Sequence, residues 1–324
     1  MSELTIDPST AAATVSTGTS QVNSNGPAMA VITDPSGSHV YVATSTGIAA
    51  FGLNQSNGNL GPIPGSPFAL PGSAPTDMTV DPNGKFLYVV LNGSDELASY
   101  SISQKTGSGA ITLITDPTGK FVYVANENSF TISGFLVDPN SGALTPISGS
   151  PFNAAPNASP TTGPAAMAIA NNFLYVASDG QILTLSINTS TGALSSSGTP
   201  FPATGVILAP HAIVADPGGK FLITGNLSPD TSPNFLETLL INSSNGQLSA
   251  GPAFNLANST VSASPLAIDS SGLHLYAISL LDQSCASSCE NAVISFSISS
   301  GGSLSPIGSP ADTGAMQSDS ISVR

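Results

Sequence analysis

Few side chains in this sequence have the chemistry of a catalytic group, and His211 and Glu127 are two of them. An imidazole and a carboxylate that meet in a pocket can activate water, which would cleave an ester or a lactone. Each residue also has a structural interpretation, His211 as a hydrogen-bonded residue in a chain crossover and Glu127 as part of a turn. The chain contains no Gly-x-Ser-x-Gly segment, so nothing in it indicates a serine hydrolase.

The two cysteines, Cys285 and Cys289, are close together in the sequence DQSCASSCE. A CxxxC pair without a second pair of ligands is a poor zinc site. In a curled loop the two sulfurs reach bonding distance, so we expect a disulfide that closes this loop. A disulfide would be typical of an oxidising compartment.

The elements that must position these residues are six similar units with a mean period of 47 residues. Each unit has a short apolar run, a turn that is usually Asp-Pro-x-Gly, and a strand such as KFVYV. A third strand, a glycine-containing turn and a fourth strand follow. One aromatic or aliphatic residue lies at the centre of the second strand of each unit. These residues are Tyr41, Tyr88, Tyr123, Tyr175, Ile223 and Tyr276.

Four short antiparallel strands per unit predict an all-β fold, a β-propeller with one four-stranded blade per unit. We expect a single domain over residues 1–324, with units at about 29–68, 77–109, 110–152, 165–201, 211–254 and 265–310. Residues 1–28 and 311–324 together would form a seventh blade, split between the two ends of the chain, and the alternative is six blades. Unit two has no recognisable fourth strand, because KTGSGAITLI runs directly into unit three, and this predicts an exposed sheet edge.

The repeated segment DPxGKFxYVAN resembles the YVTN-repeat and lactonase-type (6-phosphogluconolactonase-like) seven-bladed β-propellers, over nearly the whole chain. The resemblance implies the fold. It does not single out one function, because the same fold hosts sugar-lactone hydrolases, cyclases, surface-layer modules and binding proteins. APHAIVADPGGKFLITGNL is similar to a Pro-His motif of the lactonase branch, which implies that His211 is the family histidine. YVANEN is similar to an Asn-Glu motif of that branch and implies the same for Glu127. The branch carries arginines around its pocket, but the only arginine here is Arg324.

Successive turns of an antiparallel blade alternate between the two faces of the disc. We define the top face as the face that holds the crossovers between blades and the turns between the second and third strands. This alternation assigns the lysines and the turn-forming aspartates to the bottom face, with His39 and His274 as structural residues. The lysines are Lys85, Lys105, Lys120 and Lys220.

The top face is expected to be acidic, which disfavours anionic ligands and favours cations, calcium-bridged contacts or neutral ligands. The acids assigned to it are Asp77, Asp95, Glu96, Glu127, Asp179, Asp230, Asp282, Glu290, Asp312 and Asp319. We predict a ligand-binding set composed of Asp77, Asp95, Asp179, Asn226, Asp230 and Asp282.

The composition restricts the partners and the compartment. A formal net charge of −14 repels nucleic acid and anionic lipid, and the chain has no apolar run near 18 residues, so we expect no membrane span. The first residues lack the basic start and apolar stretch of a signal peptide. We expect a periplasmic or secreted protein that has lost its signal peptide, with a cytoplasmic protein as the alternative.

The sequence supports two functions. The first is a surface-associated binding or assembly module whose acidic face takes a small neutral or cationic ligand, a glycan or a protein, as a monomer or a strand-exchanged homo-oligomer. The alternative is a lactonase-like hydrolase that uses His211 and Glu127. We expect no cofactor in either case, unless Ca²⁺ binds the acidic face.

Overall fold

The computed structural model describes residues 4–6, 13–15, 28–56, 58–99, 103–105, 110–155, 162–178, 180–202, 212–226, 235–256, 265–279 and 292–312. The chain is all-β in these ranges apart from one turn of 3₁₀ helix at Asn92–Ser94. Two short strands, β1 (Leu4–Ile6) and β2 (Ala13–Val15), pair with each other near the start of the chain.

The first three blades follow in chain order. Blade 1 consists of β3 (Ala28–Thr33), β4 (His39–Thr44), β5 (Gly47–Leu53) and β6 (Leu60–Pro62). Blade 2 consists of β7 (Pro75–Val80), β8 (Leu87–Leu91), β9 (Glu96–Ser99) and β10 (Ser103–Lys105). Blade 3 consists of β11 (Ala110–Thr115), β12 (Phe121–Asn126), β13 (Thr131–Val137), β14 (Leu144–Pro146) and β15 (Phe152–Asn153).

The next three blades repeat the pattern. Blade 4 consists of β16 (Pro164–Ala170), β17 (Phe173–Ser178), β18 (Gln181–Ile187), β19 (Leu194–Ser196) and β20 (Phe201–Pro202). Blade 5 consists of β21 (Ala212–Ala215), β22 (Phe221–Asn226), β23 (Phe235–Ile241) and β24 (Leu248–Asn255). Blade 6 consists of β25 (Leu266–Ile268), β26 (His274–Ser279), β27 (Ala292–Ile298) and β28 (Leu304–Asp312).

These sheets confirm the predicted β-propeller of four-stranded antiparallel blades. Neighbouring strands pair in sequence order, and the first strand of each blade contacts the first strand of the next, from β3 through to β25. The described ranges contain six such blades, which matches the six-blade alternative. β2 lies against β28. Of residues 311–324, the other half of the predicted seventh blade, 311 and 312 end β28 and 313–324 lie outside the described residues.

Blade 2 corrects two predictions from the sequence. Its fourth strand is present, because β9 is only four residues long and the chain reverses early enough for Ser103–Lys105 to pair with it as β10. Residues 103–105 are therefore the fourth strand of this blade. Lys105 lies opposite Glu96, which follows a top-face turn, so its main chain is at the top of the blade and not at the bottom as predicted.

The alternation of side chains along the second strand explains how blades stack. In β12, Val122 and Val124 pack toward blade 2, whereas Phe121 and Tyr123 pack toward blade 4. All four side chains are at most 2% exposed. The Tyr123 hydroxyl donates a 2.8 Å hydrogen bond to the carbonyl of Gly192 in the next blade. Tyr175 donates in the same way to Gly246 at 3.1 Å, whereas the buried hydroxyl of Tyr88 has no hydrogen-bond partner among the described residues.

The bottom face is built from the Asp-Pro-x-Gly turns, and their aspartates are structural. Asp116 accepts hydrogen bonds from its own turn through one carboxylate oxygen and from the Phe121 amide, at 2.7 Å, through the other. The carbonyl of Asp116 accepts from the Gly119 amide at 2.9 Å, and Gly119 has a φ of 69°, which favours glycine. The two bottom-face histidines, His39 and His274, lie within bonding distance of the aspartates of their own turns, Asp34 and Asp269.

Candidate functional site

Glu127 lies where the sequence places it, in the top-face turn between β12 and β13. The preceding Asn126 is fully buried and its amide donates to the hydroxyls of Thr131 (3.1 Å) and Ser133 (3.0 Å), which closes the turn. Glu127 itself is exposed. Its carbonyl oxygen faces Gly163 so closely that a Cβ there would lie 1.9 Å away, so this turn packs directly against the crossover into blade 4.

The remaining members of the predicted sites are only partly described. His211, Asp179, Asp230, Asp282, Cys285 and Cys289 lie outside the described residues. Asn226 ends β22, where its backbone pairs with Phe235. The Glu127–His211 pair and the disulfide therefore stay predictions.

Asp77 is the third residue from the top end of the first strand of blade 2, and it bridges to blade 3. One carboxylate oxygen accepts hydrogen bonds from the Thr112 hydroxyl at 2.7 Å and from the Leu113 amide at 3.0 Å. The other oxygen accepts from the Met78 amide at 2.8 Å. Both Asp77 and Thr112 follow a register shift in their strands, and these bulges bring the two side chains together.

The surroundings of Asp77 favour its protonated form. Burial raises the pKa of the carboxyl group, and the hydrogen bonds from Thr112, Leu113 and Met78 offset this only in part. The residue as a whole is nevertheless partly exposed. Asp77 is thus a carboxyl group of raised pKa at the edge of solvent.

Asp95 and Glu96 lie in the top-face turn of blade 2. Asp95 has a φ of 50°, and its amide donates to the carbonyl of Asn92 at 3.3 Å. The Asn92 amide in turn donates a 2.9 Å hydrogen bond to the carbonyl of Ala74, in the crossover that enters this blade. As in blade 3, the top-face turn and the crossover are held together, so the acids of the turn lie beside the entry to the first strand.

Glu237 is a buried carboxylate that the sequence analysis did not single out. It lies on β23 of blade 5, opposite Thr224, and is 4% exposed. The signal for it was the single charge within the apolar third strand FLETLLI, where the equivalent residue of blade 3 is Ser133.

Within the described ranges no group of three or more His, Cys, Asp or Glu side chains is arranged to hold a metal ion. The same residues include no helix that is long and apolar enough to cross a membrane.

The arrangement defines a β-propeller whose top face carries carboxylates around the entry to its first strands. The sequence profile of the family "Lactonase, 7-bladed beta-propeller" matches residues 9–116 and 107–252. The chain belongs to this family. No curated protein is significantly similar to the chain in sequence.

Solved structures share the fold over nearly the full chain. A candidate 6-phosphogluconolactonase from Bacteroides fragilis superposes with a TM-score of 0.76 at 16% identity, covering 96% of this chain and 91% of that chain. The corresponding protein from Bacteroides uniformis gives 0.77 at 14% identity, covering 96% and 92%. The periplasmic gluconolactonase of Pseudomonas aeruginosa gives 0.70 at 14% identity, covering 95% and 93%.

Proposed function

We propose that this protein hydrolyses an uncharged sugar lactone or a related cyclic ester at its top face. The observation that carries the proposal is the match of the lactonase family profile to most of the chain. The description of one structural neighbour as a gluconolactonase supports the same reaction. Hydrolysis of a lactone requires only water as the second reactant, so the proposal needs no cofactor.

The charges favour a substrate without phosphate. A phosphorylated sugar lactone carries two negative charges, which proteins usually bind with arginine or with several lysines. The only arginine is Arg324, and three of the four lysines follow Asp-Pro-x-Gly turns of the bottom face. Asp95, Glu96 and Glu127, all near the top ends of blades 2 and 3, would repel such a substrate.

The direct test is the initial rate of ring opening of D-glucono-1,5-lactone, followed by the acid released and corrected for the uncatalysed reaction. We expect turnover of this lactone, a lower kcat/KM for its 6-phosphate, and loss of turnover in His211→Ala. A rate equal to the uncatalysed one for both lactones would refute the proposed function. Glu127→Gln then tests the second member of the predicted pair.

A second candidate is the binding module predicted from the sequence, which the acidic residues of the top face favour. It predicts saturable binding of a neutral oligosaccharide or of Ca²⁺ by calorimetry without any turnover. Heat of binding that is lost in Asp95→Asn, in a protein that opens no lactone, would support this candidate over hydrolysis.

A further inference from the structure

Asp77 occupies a position that no other blade uses for an ionisable group. The described first strands read AMAVIT, PTDMTV, AITLIT, PAAMAIA, AIVA and LAI, and Asp77 is the one ionisable side chain in these segments. The residues that follow the same register shift in blades 1, 3 and 4 are Ala30, Thr112 and Ala166. One acid is therefore present in a ring of otherwise uncharged residues.

The hydrogen bond to Leu113 shows where this carboxylate lies. β11 pairs with β12 on one side only, so an amide of β11 that bonds a residue of blade 2 points away from its own sheet. In a propeller the free edge of the first strand faces the central channel. The carboxylate of Asp77 thus lies on the channel wall near the top, and the residues Asp77 and Thr112 are both partly exposed.

The carboxylate has room for one more hydrogen bond. A carboxylate can accept about four, and Asp77 accepts two at Oδ2 and one at Oδ1. The remaining position at Oδ1 can accept a hydrogen bond from a water molecule. Glu127, in contrast, is exposed on a turn whose main chain packs against Gly163.

We propose that Asp77 is the general base of the lactone hydrolysis, an inference that rests on the proposed function. Oδ1 of Asp77 takes a proton from a water molecule while the water oxygen attacks the lactone carbonyl carbon. The bond between that carbon and the ring oxygen then breaks, and the ring oxygen receives the proton from Asp77. The sum is lactone plus water to hydroxy acid, and Glu127 is not required for this step.

The raised pKa of Asp77 suits this role, because a stronger base removes a proton from water more readily. No charged neighbour causes the rise, which comes from burial and is opposed by hydrogen bonds alone. The titratable groups on the elements in closest contact with β7 are His39, Tyr41 and Tyr88, all on second strands. The acid limb of the pH–rate profile should accordingly report the carboxyl group of Asp77.

The test compares Asp77→Asn and Thr112→Val with the matched control Asp138→Asn, an exposed turn residue of the bottom face. We expect Asp77→Asn to lower kcat on glucono-1,5-lactone about 100-fold or more, as is usual for loss of a general base. Thr112→Val removes a hydrogen bond that lowers the pKa of Asp77, so the acid limb should move to higher pH. Asp138→Asn should leave both kcat and the acid limb of the pH–rate profile unchanged.

The outcomes separate the two proposals. Turnover by Asp77→Asn within about twofold of wild type, or an acid limb unmoved in Thr112→Val, overturns the role of Asp77 and leaves the proposed function intact. A wild-type protein without turnover overturns both. If Asp77→Asn does not fold by circular dichroism, the pH profile of Thr112→Val decides.

Discussion

Asp34 shows how a single carboxylate folds a bottom turn. Its Oδ1 accepts hydrogen bonds from the amides of Ser38 (2.8 Å) and His39 (2.9 Å), and its Oδ2 bonds the side chains of Ser36 and His39. Burial raises the pKa of Asp34, but the hydrogen bonds together outweigh burial and lower it to about 2. The ionised carboxylate is therefore part of the folded turn.

A carboxyl group whose pKa is lowered by folding stabilises the protein above its ordinary pKa, and the contribution disappears as the pH falls toward the lowered value. We expect Asp34→Asn to reduce the free energy of unfolding at pH 6. The difference from wild type should shrink by about 1–2 kcal/mol between pH 4 and pH 2. Urea titrations at a series of pH values measure it, and a difference that does not vary with pH would exclude this role of the carboxylate.

Among the elements, a glycine-containing turn of each of blades 3 to 6 packs against the preceding blade. Gly192 lies between the third and fourth strands of blade 4. Its carbonyl oxygen accepts a hydrogen bond from the hydroxyl of Tyr123, and the residue packs on Phe121 of blade 3. Its φ is 75°, and a Cβ there would lie 2.5 Å from Phe121 and 2.6 Å from Ile147. The turn therefore requires glycine both for its backbone and for the contact between blades.

Gly192→Ala should cost about 2–4 kcal/mol of unfolding free energy, since it combines backbone strain with overpacking. The matched control is Gly301→Ala in the corresponding turn of blade 6, where a Cβ meets no atom within 4 Å. Chemical denaturation of both variants gives the comparison. Equal losses in the two would show that the contact with Phe121 does not matter.

The same elements show what could be predicted from sequence. The period and the Asp-Pro-x-Gly turns predict the blades correctly, because turn geometry and alternation are local properties. The early reversal after β9 was missed, since β9 is only four residues long and no glycine follows it in the sequence before Gly107. The bridge from Asp77 to Thr112 depends on bulges in two strands 35 residues apart, and only the assembled blades reveal it.

At the scale of the whole molecule, 19 acids and 5 bases leave a net charge of −14. Like charges on a compact body repel each other and destabilise the folded state, and salt screens the repulsion. The melting temperature should therefore rise between 10 and about 200 mM NaCl, where the screening length falls to about 7 Å. Differential scanning calorimetry tests this, and a melting temperature that falls with salt would mean that attractive pairs dominate.

The net negative charge also predicts substrate preference in the proposed reaction, because a neutral lactone reaches the top face more readily than a phosphorylated one. The measurement that tests the account most directly is the pair of kcat/KM values for D-glucono-1,5-lactone and its 6-phosphate at low salt. Catalysed opening of the neutral lactone, with a kcat/KM above that of the phosphate ester, is the result we predict. No catalysis of either lactone, or a preference for the phosphate ester, would contradict the account.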